Sequence, residues 1–153
     1  MIKFILTQEL GRLAKWLRIL GYDAEYSDSS NHSGFFLQAL RDGRVILSRN
    51  HHLPKRTGLQ IILINSEQVK QQVVEVVKTL KLQLNKDIMF SRCIICNTLL
   101  APIEKNKIQS QVPDHVFKAQ EHFITCPKCK RIYWQGTHWG NVTKTLEEIG
   151  VSF

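Results

Sequence analysis

Two C-x-x-C pairs, Cys93-Ile94-Ile95-Cys96 and Cys126-Pro127-Lys128-Cys129, constrain this chain more than any other feature. Each pair can bend back so that both thiolates face one ion, and two pairs supply the tetrahedral set of soft sulfur ligands that zinc prefers. The 29 residues between the pairs, 97–125, are long for a minimal finger and fit a ribbon with a loop inserted around Pro113-Asp114. One structural zinc site is therefore expected, made by Cys93, Cys96, Cys126 and Cys129. Four thiolates already close such a site, so His122 and His138 are read as surface or core histidines.

All four cysteines lie beyond residue 92, so the earlier residues must bury their own apolar surface without any staple. Two modules follow, residues 1–86 and a zinc-ribbon module at 87–153. In the first, short continuous apolar runs at residues 3–6, 22–26, 44–47 and 60–64 read as buried strands. Segments of helical periodicity at 8–20, 34–40 and 65–82 alternate with them. That order argues for an α/β fold in which a parallel sheet is flanked by helices, with its working edge at the C-terminal ends of the strands. Those ends fall at residues 7–9, 27–32 and 48–52.

The formal charge of +8 is unevenly placed: residues 1–86 hold 13 Lys and Arg against 7 Asp and Glu, the remainder 8 against 6. A basic surplus favours a polyanionic partner, nucleic acid above all, although a merely solubilising surface has the same composition. On the first helix Arg12, Lys15 and Arg18 recur every third residue, apart from Leu10, Leu13, Leu17 and Leu20, which reads as a cationic face opposite a core face. Beyond the second knuckle, Tyr133, Trp134 and Trp139 are interleaved with Lys128, Lys130 and Arg131. Such a segment can stack exposed bases, and it can equally pack the core of a small module. The opening apolar run is short and carries Lys3, so no signal peptide is expected; no run approaches the length of a membrane span, and a cytoplasmic protein is expected.

The run from Leu10 to Asp23, LGRLAKWLRILGYD, together with Arg44-Val45-Ile46-Leu47-Ser48-Arg49, Arg92-Cys93, Cys96-Asn97 and the stretch from Cys126 to Trp139, resembles the Mut-seven C-terminal ribonuclease domain family. The resemblance spans essentially the whole chain. It implies a PIN-like nuclease fold fused to a zinc ribbon, with RNA as substrate and magnesium or manganese as catalytic metal. Enzymes of that kind hold divalent ions between several carboxylates at the strand ends. Here the aspartate that usually closes the first strand is Thr7, and the one expected after the third strand is Asn50. The acidic loop before the second helix has become Ser29, Ser30, Asn31 and His32, leaving Glu9 and Asp28 as candidate catalytic carboxylates, with Asp23 and Asp42 less well placed.

The resemblance therefore implies an RNA-binding protein of ribonuclease ancestry with a degenerate metal-dependent site. Arg12, Lys15, Arg18, Arg49, Lys55 and Arg56 would meet phosphates. An active divalent-metal ribonuclease using Glu9 and Asp28 is the alternative, and a protein-interaction adaptor a further one. His32, His51 and His52 offer a weaker route, metal-free acid–base cleavage.

Overall fold

The computed structural model describes residues 1–27 and 32–153, and for His32 the backbone alone. Four parallel strands form the first sheet: β1 Lys3–Leu6, β2 Asp23–Tyr26, β3 Arg44–Ser48 and β4 Ile61–Leu63, in the order β2-β1-β3-β4. A 3-10 turn, Gln8–Leu10, leads into α1 Gly11–Ile19; α2 His32–Asp42 and α3 Val69–Leu80 complete this layer arrangement. The strand register aligns Leu6 with Tyr26 and Leu47, so the C-terminal ends of three strands lie level.

Strand alternation sorts the sheet into two faces. Phe4, Leu6, Val45 and Leu47 pack with Leu13 and Leu17 of α1 and Val73 and Val76 of α3. On the other face Ile5 and Ile46 meet Phe35, Phe36 and Ala39 of α2. Both faces are covered, which is why the central strands read as continuous rather than alternating apolar runs.

The ribbon is a three-stranded antiparallel sheet of β5 Ala101–Ile103, β6 Phe123–Thr125 and β7 Ile132–Trp134, with α4 Asp114–Ala119 in the inserted segment. Its own core is small: Ile108, Val112, Val116 and Phe123. The chain then returns to the first module. Val142 and Leu146 of α5, Thr137–Glu148, and Val151 beyond it belong to the same buried cluster as Phe4, Leu6 and Leu13. The last helix, assigned by sequence to the ribbon module, thus completes the core of the sheet.

Gly21 shows how closely the linker approaches. Its φ of +93° lies in the left-handed region, and a Cβ there would collide with the backbone of Ile88. Next to it the Phe90 amide donates to the Ile19 carbonyl at 2.8 Å. The glycine that ends α1 is therefore also the seat for residues 88–90. Among the described residues no helix is long and apolar enough to cross a membrane.

Leu146 is fully buried in the shared core. Leu146→Ala should destabilise the sheet domain by about 2–5 kcal/mol in urea denaturation. A loss below about 0.5 kcal/mol, typical of a surface position, would place α5 outside that core.

Candidate functional site

In the order β2-β1-β3-β4 the chain direction of the connections reverses between β1 and β3, the switch point at which open parallel sheets place a ligand crevice. Thr7 follows β1, Ser48 ends β3, and the two are tied by a 3.0 Å hydrogen bond between their hydroxyls. Ser48 is fully buried. Glu9 folds back over this pair from the 3-10 turn. Its Oε1 accepts from the Thr7 hydroxyl at 2.6 Å, the Arg49 amide at 2.9 Å and the Ser48 hydroxyl at 3.3 Å. Partial burial opposes ionisation, yet these donors outweigh it and hold the Glu9 carboxyl below its ordinary value.

Asn50 caps its own loop, accepting from the His52 amide at 2.9 Å, while its amide donates to the Ser48 hydroxyl at 3.0 Å. Asp28 and residues 29–31 lie outside the described residues. Asp23, at the start of β2, and Asp42, at the end of α2, stand at the opposite end of the sheet. There Arg44 pairs with Asp23 at 2.7 Å and with Asp42 at 3.5 Å. Among the described residues, three or more His, Cys, Asp or Glu ligand atoms do not converge at the strand ends, where Glu9 is the carboxylate beside Thr7 and Ser48.

The cations separate into different environments. Arg12 and Lys15 are exposed, and Arg12 borders an open strand-end cleft of about 570 Å³ with Glu9, Glu67 and Lys70. Arg18 is buried instead. Its Nε donates to the Ala24 carbonyl at 2.9 Å and its Nη1 to the carbonyls of Ile94 and Ile95 at 2.8 and 3.1 Å. A three-residue step falls about 60° short of a full turn, so Arg18 sits about 120° round the helix from Arg12, against β2. Arg49 is half-buried. Lys55 and Arg56 are exposed, and the Arg56 guanidinium lies 4.8 Å over the ring of Phe36, in the α2 layer on the far face from α1. Arg12 thus shares the strand-end cleft with Lys70, a cation the sequence reading did not single out, and Arg12, Lys15 and Arg18 all line a second cleft along α1, where the Arg18 guanidinium is engaged by carbonyls; Lys55 and Arg56 line neither.

The second site is built from two equivalent knuckles. The Asn97 amide donates to the Cys93 carbonyl and the Lys130 amide to the Cys126 carbonyl, both at 2.9 Å. Asn97 and Lys130 take φ of 64° and 63°, the left-handed turn that swings the second cysteine of each pair back toward the first. The four Sγ atoms all lie within 4.8 Å of one another, with Cys93 and Cys129 3.7 Å apart. Tetrahedral zinc with bonds of about 2.3 Å separates its sulfurs by about 3.8 Å, so the four thiols fit one such ion. The Tyr133 hydroxyl lies 3.1 Å from Cys93 Sγ as an outer hydrogen-bond partner.

Asn97 has a further role that spacing alone did not reveal. Its Nδ2 donates to Asp23 at 2.7 Å and Glu25 at 3.1 Å, and its Oδ1 accepts from the Ala24 amide at 3.1 Å. The available signal was an asparagine directly after a C-x-x-C pair, where a left-handed residue is required.

Because the folded-state pKa of Glu9 is depressed, its contribution to stability is present above the ordinary carboxylate range and is lost as pH falls through the folded value. Glu9→Gln should therefore lower the thermal midpoint at neutral pH, with the gap to the parent protein closing in acid. A gap independent of pH would mean that the ionised carboxylate is not what ties β1 to β3.

The model of the Mut7-C RNAse domain family matches residues 2–146. No curated protein and no solved structure matches the chain. The match takes in the parallel sheet, both knuckles and most of α5, so that the strand-end crevice and the four-cysteine cluster stand inside one family unit: the chain belongs to the Mut7-C RNAse domain family.

Proposed function

We propose that this protein binds RNA through a ribonuclease-derived domain whose metal-dependent hydrolytic site is degenerate, and that one structural zinc holds its ribbon. The observation that carries this reading is the state of Glu9. Among the described residues it is the carboxylate at the β1 and β3 ends, and one of its oxygens already takes three hydrogen bonds. Thr7 and Asn50, where carboxylates would be needed, are neutral. Too little negative charge remains there to collect hard divalent ions. The adjoining cleft mixes Arg12 and Lys70 with Glu9 and Glu67, and the basic surface continues along α1, where Arg12 and Lys15 are exposed. Phosphate is the group such a surface attracts.

Residual hydrolysis is the second reading, favoured by the lowered pKa of Glu9, which keeps a carboxylate ionised at the strand ends. With magnesium or manganese, the protein should cleave single-stranded RNA far more slowly than a carboxylate-complete relative. Thr7→Asp with Asn50→Asp should place new charge beside Glu9. Self-repulsion should then lower the thermal midpoint without divalent ions, and millimolar manganese should restore it. Efficient cleavage by the parent protein, lost in Glu9→Gln, would establish the enzyme reading in place of the binding one.

Binding is tested by salt titration with a single-stranded oligoribonucleotide. Arg12→Ala and Lys15→Ala should each weaken it across sequences and reduce the log–log salt slope by about 0.7, the release from one phosphate. If no RNA binds at low ionic strength, the adaptor reading leads. For the ribbon, elemental analysis should find about one zinc per chain, and Cys129→Ser should abolish it.

A further inference from the structure

Where the first knuckle, the ribbon sheet and α5 meet, the surface folds into a recess of about 230 Å³. Its walls include Ile94, Leu100, Ile124, Tyr133, Trp134 and Trp139. Trp139 stacks on Phe90 with ring centroids 4.0 Å apart and planes inclined by 23°, so one wall is a flat, pre-ordered aromatic surface. Arg92 also lines the recess. Its Nη1 donates to the Asn97 carbonyl at 2.8 Å, but its Nε is buried and has no hydrogen-bond partner among the described residues.

The same unpartnered Nε occurs at Arg44 and Arg49 elsewhere in the fold, so it is the aromatic walls that define the occupant. An occupant that fits them has flat apolar faces, and an acceptor on its edge would meet the Arg92 guanidinium that lines the recess. Pockets for drug-sized ligands run from about 300 Å³ upward, so this smaller recess suits a single ring system. The neighbourhood supplies the remaining constraint. Ile94 is shared with a cleft bordered by Arg12, Lys15 and Tyr26, and Arg12 is shared in turn with the strand-end cleft. On α1, Arg12, Lys15 and Ile19 follow one strip, which at 1.5 Å per residue leads about 10 Å from the cleft to the recess. A flat ring with an edge acceptor, attached to a polyanionic backbone, is a nucleobase in a strand.

We propose that the recess receives one unpaired nucleobase of an RNA whose phosphates follow the Arg12 and Lys15 face of α1. This rests on the RNA-binding reading above. Aromatic walls accept any base face, and the Arg92 guanidinium provides a donor for an edge oxygen or nitrogen.

The test compares two polyanions, a short fluorescent single-stranded oligoribonucleotide and inorganic polyphosphate, on the full zinc-loaded chain. Leu100→Trp fills the recess and Trp134→Ala opens its wall. Each should weaken RNA binding roughly tenfold, the effect of one stacked base, and leave polyphosphate binding unchanged. Arg12→Ala should weaken both polyanions. If both recess variants bind RNA as the parent does, or weaken RNA and polyphosphate equally, the base pocket is overturned while RNA binding stands. A parent protein that binds polyphosphate but no RNA overturns the pocket and the RNA-binding reading together.

Discussion

The relation between the two modules depends on a reciprocal set of hydrogen bonds at the outer edge of β2. Arg18 reaches from α1 to the Ala24 carbonyl and to two carbonyls inside the first knuckle, while Asn97 reaches from that knuckle to the Ala24 amide and to Asp23 and Glu25. Both the N–H and the C=O of Ala24 are thereby satisfied on the side away from β1. An unpaired strand edge invites pairing with another chain, and here two side chains blunt it. Asn97 can make these bonds only while the turn after Cys96 holds its left-handed backbone. A metal ion that closes the knuckle would therefore also hold the cover over the sheet edge.

This coupling explains which parts of the structure were legible in the sequence. The four strands, the closing of α1 at Gly21 and the cysteine cluster all follow from local signals: continuous apolar runs, a glycine, a fixed ligand spacing. Arg18 is buried because an every-third-residue repeat drifts around a helix, so a side chain two steps of the pattern from Arg12 turns toward β2. The contribution of Val142 and Leu146 to the first core was hidden for a different reason. Their helical spacing marks an apolar face and carries no information about which module that face meets. At the candidate site, Glu9 was visible as a residue type near a strand end, whereas its bonds to Thr7, Ser48 and Arg49 arise from pairing between strands far apart in sequence.

Thr7 and Ser48 also change what the strand ends need for stability. Clustered carboxylates repel one another and require a cation; a threonine, a serine and a single glutamate satisfy one another directly. Among the described residues the strand ends are thus held together by hydrogen bonds to a single carboxylate. The adjoining cleft carries charges of both signs, Arg12 and Lys70 beside Glu9 and Glu67.

The geometry of the edge contact also determines whether three separate concavities can serve one strand of nucleic acid. Gly11 and Arg12 join the strand-end cleft to the α1 face, and Ile94 joins that face to the aromatic recess. Ile94 belongs to the first knuckle, and its carbonyl is one of the acceptors held by Arg18. The residue that connects the cationic face to the recess is thus positioned by a buried cation on the helix that carries that face. Arg18, whose guanidinium is engaged by three carbonyls, sets the register between the cationic face and the recess. Replacing its planar fork by lysine would keep a charge yet lose the simultaneous bonds to Ala24, Ile94 and Ile95, so the two halves of the surface would no longer be held at one spacing.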